Sequence, residues 1–183
     1  MKLTVDKKEC GKVFYNEILY ISSKYPLLKK NPNTKAHSVT KVFSIYITIG
    51  FLMMVAFFLL YVIFTKWIFL VILLFMSIYF FLSLYFLYDA IKFVNKEVKE
   101  KDDSILTINN SGVRITRGKK LDYKIDFKDI MYVLINKNTI VFLPKEKGNL
   151  MIGVPSKYKK EIVNELKELK KDDLVIDNSK LYK

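Results

Sequence analysis

Residues 42–88 read VFSIYITIGFLMMVAFFLLYVIF, then Thr65 and Lys66, then WIFLVILLFMSIYFFLSLYFLY. Neither apolar run holds an Asp, Glu, Lys or Arg, and each has about the 20 residues that a helix needs to cross a hydrocarbon core. A single unbroken helix over both would reach roughly 70 Å at about 1.5 Å per residue, more than twice that core. The chain therefore turns near Thr65 and Lys66, which predicts a helical hairpin. A pair of core helices in a soluble domain would each show one apolar stripe and one polar face. FLMMVAFFLLYVIF is apolar on every side instead, the pattern expected where lipid is the solvent. A cleaved signal segment fits poorly, because the first run starts some 40 residues in and a second follows at once.

The charge divides around this hairpin. Residues 1–41 carry nine Lys against three acids, and residues 89–183 carry twenty-one basic residues against fifteen acids, within a total of +13. Lys24, Lys29, Lys30, Lys35 and Lys41 precede the first run, while Lys92, Lys96, Lys99 and Lys101 follow the second. Basic residues beside span ends mark the cytoplasmic side, so both termini are expected in the cytoplasm of a multi-pass bacterial membrane protein. Nucleic-acid binding is a weaker account of the excess, since only Arg114 and Arg117 offer the bidentate fork that reads guanine or phosphate. Attraction to anionic membrane lipids explains a charge that clusters beside the membrane. Richness in Lys, Ile, Asn and Tyr suggests an AT-rich bacterial genome. The single Cys10 excludes an internal disulfide or a cysteine zinc site, and no cofactor is expected.

Outward from the hairpin, residues 1–41 hold a short alternating stretch (MKLTV) and then helical spacing from about Lys8. Val13, Phe14, Ile18, Ile21 and Tyr25 form its apolar stripe, and Pro26 is expected to end it. This helix either lies in the headgroup layer or packs on the cytoplasmic domain. Leu27–Thr40 reads as a linker. Small and hydroxylated residues within the hairpin, namely Ser44, Thr48, Gly50, Ala56, Ser77 and Ser83, are expected at helix contacts. The absence of an ionisable group at bilayer depth argues against a transport path.

Residues 89–103 continue the second helix, with Ala90, Ile91, Val94 and Val98 at helical spacing. From Ser104 the period becomes two. SILTI, GVRITR, KLDYKID, MYVLI, TIVFLP and LMIGVP are six strand candidates separated by turn signals. A helix over about Lys157–Lys170 follows, N-capped by Ser156, with Tyr158, Ile162, Leu166 and Leu169 as its stripe. Residues 104–171 thus predict a small antiparallel, barrel-like α+β domain closed by a C-terminal helix. Residues 172–183 are expected to be a loose tail, with Leu174–Ile176 as a possible short strand.

Three stretches carry a family resemblance: Gly112-Val113 at a strand start, Ile125–Ile130 (IDFKDI) at a strand-to-turn passage, and Thr139–Lys145 (TIVFLPK). In these and in its layout the chain resembles the YcxB-like proteins of Firmicutes. The resemblance implies a two-span anchor bearing a domain like the bacterial pleckstrin-homology domains, which bind lipids or peptides. The loop Glu146–Leu150 lacks the aromatic segment that the resemblance would put there.

Catalysis has little to work with. His37 is the only histidine and sits in a polar linker, no second His or Cys completes a nucleophile pair, and the six glycines are dispersed. The expectation is a non-enzymatic binding protein. Arg114, Arg117, Lys119, Lys120 and Lys124 are either a solvated basic face or the candidate surface for anionic lipid or an acidic partner, and Tyr132, Leu134, Val141 and Leu143 either form a second, apolar candidate patch or lie inside a tightly closed barrel. Three roles fit: an adaptor or regulator with a protein or lipid partner, an immunity protein against a secreted toxin or bacteriocin, and an accessory subunit of a transporter or envelope enzyme.

Overall fold

A computed structural model describes residues 1–100, 102–118 and 120–182. The chain forms two compact units, one of residues 38–95 and one that joins Met1–His37 to Lys96–Lys183.

The first unit is a helical hairpin. Helix α3 (Val39–Phe64) and helix α4 (Trp67–Lys99) meet at Thr65, whose backbone takes the left-handed conformation, with φ 51°, that ends α3. Contacts between the two run in antiparallel order: Phe43 stacks with Phe86 at 6.1 Å, Phe51 meets Phe80 at 6.3 Å, and Phe64 meets Phe69 at 6.2 Å. Gly50 lies under the Tyr79 ring. Hydroxyls of Ser44, Thr48, Ser77 and Ser83 donate to the carbonyl four residues earlier, so these four hydroxyls are satisfied within their own helices. Both helices are long and apolar enough to cross a membrane, and only 6% of either apolar window is buried. That exposure separates them from the buried helices of a soluble core.

The second unit is built on two four-stranded sheets. One runs in the order β1 (Lys2–Val5), β2 (Ser104–Asn109), β3 (Gly112–Arg117), β4 (Leu121–Asp126), all antiparallel. The other places β7 (Ile152–Pro155) beside β6 (Thr139–Pro144), then β5 (Ile130–Ile135), then β8 (Val175–Asp177), with β8 parallel to β5. All six period-two stretches are strands. The barrel expected from them is not closed. After Asp126 the chain makes a single 3-10 turn at Phe127–Asp129 instead of a hairpin, and both edges of β5 are already taken by β6 and β8. β4 is left as an edge of its own sheet.

Alternation tells which faces are covered. In β2, Leu106 and Ile108 are buried while Ile105 and Thr107 are half-exposed, as in a sheet with one wet face. In β6 every residue is buried, the mark of a strand covered on both sides. Helix α1 (Lys12–Ser23) supplies one cover, with Phe14, Tyr15, Tyr20 and Ile21 buried and Ile18 packed on Gly153 of β7. This decides for the domain and against the headgroup layer. Val13, placed on the apolar stripe by spacing, is instead 59% exposed. Helix α1 stops at Ser23, just ahead of Pro26 as expected, but Pro26 itself occupies the first turn of a second helix, α2 (Tyr25–Lys30), where a missing N–H has no intrahelical partner to lose. Buried Tyr25 and Leu28 hold α2 to the unit.

Helix α5 (Lys159–Glu168) buries Ile162 and Leu166 completely. Ser156 is not its cap. It lies in a preceding 3-10 turn, and its hydroxyl donates to the Lys137 carbonyl at 2.8 Å, tying down the β5–β6 turn. The tail, over its described residues 172–182, is ordered rather than loose. Beyond β8, Asn178 is buried and donates through Nδ2 to the Pro32 carbonyl at 2.8 Å. The Tyr182 hydroxyl donates to Ala36 O at 3.0 Å and accepts from Ala36 N–H at 2.6 Å. The linker at residues 32–36 is thereby clamped to the C-terminal segment.

Candidate binding surface

The candidate basic residues belong to the β3–β4 hairpin. An Asx turn begins β3, with Asn109 Oδ1 accepting from the N–H of Ser111 at 3.0 Å and of Gly112 at 3.1 Å. Gly112 is required there because a Cβ would stand 2.1 Å from the Ile125 carbonyl oxygen of β4. Register then places Arg114 opposite Lys124 and Thr116 opposite Asp122. Val113, Ile115 and Ile125 point inward and are buried, while Arg114, Asp122 and Lys124 are exposed.

Each described basic residue of this hairpin has a carboxylate partner. The Arg114 guanidinium forks onto Asp122, donating from Nε to Oδ1 at 2.7 Å and from Nη2 to Oδ2; these hydrogen bonds hold the Asp122 carboxyl below its usual range. Lys124 Nζ lies 2.8 Å from Asp126. Arg117 is largely buried and donates from Nη1 to Glu97 and from Nε to the Ser104 hydroxyl, each at 3.2 Å. Lys120 lies 3.0 Å from Glu100 and 3.9 Å from Asp102. Lys119 lies outside the described residues. Bare positive charge is thus replaced by a ladder of alternating sign along an edge strand, which also discourages β4 from pairing with a stray strand.

Two groups beside this hairpin came to light only with the register. Tyr15 of α1 lies next to Arg117, and burial, with Cys10 nearby, pushes its phenol well above the ordinary value. Lys96, Lys99, Glu100, Asp102 and Lys120 line an open groove of about 410 Å³. Sequence patterning shows Asp122 and Asp126 sharing a face with Lys124, but not that Arg114 reaches diagonally to Asp122.

The second candidate surface does not exist. Leu134, Val141 and Leu143 are at most 1% exposed, and Tyr132 is half-buried; β5 and β6 are inner strands covered on both faces, so their alternate residues are core as well. His37 is exposed, with its ring edge-on to Tyr20 at 5.3 Å. Among the described residues no three His, Cys, Asp or Glu side chains gather as metal ligands would.

No family model, curated protein or solved structure matches the chain.

Proposed function

We propose that this chain is a non-enzymatic, multi-pass protein of a bacterial cell membrane that holds a small binding domain at the inner leaflet, with both termini cytoplasmic. The observation that carries the reading is the pairing of β1 with β2, in which Leu3 stands opposite Leu106 with both apolar helices between them in sequence. Strands that pair must lie on one side of a membrane, so an even number of crossings follows, and the two helices supply it. The lysines at both span ends support the cytoplasmic side. Two four-stranded sheets with a C-terminal helix are the layout that supports the pleckstrin-like resemblance, and with it a YcxB-like membership.

The working surface in this reading is the β3–β4 face, and its partner is a protein. A charge-balanced ladder of Arg114, Asp122, Lys124 and Asp126 offers a partner fixed alternating contacts, which give specificity, whereas a lipid surface rewards unpaired positive charge. An adaptor, an immunity protein and an accessory subunit are the same device with different partners. The test is a photo-crosslinking residue at Lys124 or Thr116 in cells, with exposed Lys160 on α5 as control. A discrete adduct at the first two positions but not at the third is expected, and its absence overturns the assignment of this face.

A further inference from the structure

Four lysines on the domain contrast with the paired hairpin. Lys29 and Lys30 end α2, and Lys145 and Lys147 lie in the β6–β7 loop; all are exposed, and among the described residues none makes an ion pair. They are gathered by one side chain. The Tyr25 hydroxyl donates to the carbonyls of Pro144 at 3.0 Å and Lys145 at 2.6 Å, fastening the start of α2 to the root of the loop. Burial pushes that phenol up, with Glu146 adding. Each element also carries an exposed leucine. Tyr25 and Leu28 anchor α2 inward, leaving Leu27 49% exposed. In the loop, a bridge between Lys147 and Asn149 around Gly148, with φ 108°, precedes Leu150 at 57% exposed.

We infer that this end of the domain, comprising Leu27, Lys29, Lys30, Lys145, Lys147 and Leu150, docks on the anionic leaflet of the membrane that the same chain spans. The inference rests on the membrane reading above. Unpaired lysines around exposed leucines are what a headgroup layer rewards: the ammonium groups meet lipid phosphates while the leucines enter the acyl boundary. Only Glu146 opposes them on the loop. Eight residues separate Lys30 from α3, so the chain that joins them spans roughly 30 Å at most. A tether that short makes docking effectively intramolecular, and four lysines with two leucines then suffice where a free domain would dissociate.

Tryptophan quenching tests this on the full chain, because Trp67 is the only tryptophan. The protein is reconstituted in nanodiscs of brominated lipid, either wholly zwitterionic or with a quarter anionic lipid. Wild-type Trp67 reports the hairpin and should be quenched in both. In a Trp67→Phe, Leu150→Trp variant, the indole at position 150 should be quenched in the anionic discs, much less in the zwitterionic ones, and released by 0.5 M salt. Adding Lys29→Gln, Lys30→Gln, Lys145→Gln and Lys147→Gln should abolish the quenching, since each lysine is worth about fivefold in surface affinity. Quenched Trp67 with an unquenched indole at position 150 in anionic discs overturns the docking face alone and leaves an acidic protein as its occupant. Quenching that survives the four glutamines overturns the role of the lysines. Unquenched Trp67 overturns the hairpin and the docking face together.

Discussion

Glu17 of α1 and Thr139 at the start of β6 are joined across the buried interface by a hydrogen bond of 3.0 Å, donated by the threonine hydroxyl. The same carboxylate, only 4% exposed, also accepts from the backbone N–H and side-chain amide of Asn138. One buried acid thus fastens the N-terminal segment to the domain formed after the hairpin. Glu17→Ala would leave the Thr139 hydroxyl and the Asn138 amide without an acceptor in a dry place, at a cost of about 2–4 kcal/mol. Glu17→Gln keeps an acceptor and should cost less. Denaturant titration in detergent should rank the wild type above Gln and Gln above Ala; equal midpoints would show that this contact contributes nothing.

Leu166 is fully buried on α5. Leu166→Asp would put an unpaired carboxylate into the core and destabilise the domain by several kcal/mol. The melting transition of the sheet signal should move down by well over 5 °C. An unchanged transition would mean that α5 does not pack where Ile162 and Leu166 place it.

Gly112 meets β4 at a distance that no side chain tolerates, since a Cβ there would also lie 2.7 Å from the Asp126 Cα. Gly112→Ala should cost about 2–4 kcal/mol because backbone, not a flexible side chain, must move. Gly153→Ala meets the tip of Ile18 at 2.3 Å instead, and a rotamer change relieves it. The melting temperature of the first variant should therefore fall further than that of the second, and the reverse order would contradict the close approach of β3 and β4.

Burial pushes the Tyr182 phenol up to about 12 from its ordinary value near 10. The unfolded chain ionises first, so the contribution of the neutral phenol is complete below about pH 10 and is lost as pH rises toward 12. Wild type should lose more thermal stability across that window than Tyr182→Phe, which has no phenol to ionise. Parallel pH curves for the two proteins would mean that the clamp on Ala36 does not hold.

The hairpin was legible because two uncharged runs of membrane-span length leave no polar face along either helix; the strands after Ser104 were legible because the period changes to two. Pairings over long distance were not. Val175–Asp177 is too short to announce that it lies parallel to β5, and nothing local in MKLTV names Ser104–Thr107 as its partner. Glu17 and Asn16 look like ordinary polar-face residues, yet both are buried, because the cover that α1 provides depends on the sheet beneath it. Arg114 and Lys124 were rightly placed on an outer face, but their charge is spent on Asp122 and Asp126, a fact of register and not of composition. Lys145 and Lys147 passed as loop residues because the hydrogen bonds that seat α2 beside them come from a tyrosine 119 and 120 residues away.

In the proposed topology two spans separate the halves of one cytoplasmic domain, and cysteine accessibility in intact cells measures this most directly. In a Cys10→Ala background, Lys66→Cys at the interhelical turn should react with a membrane-impermeant thiol reagent added outside. Lys160→Cys on α5 should react only after permeabilisation. Labelling of position 160 from outside, with position 66 protected, would contradict the account.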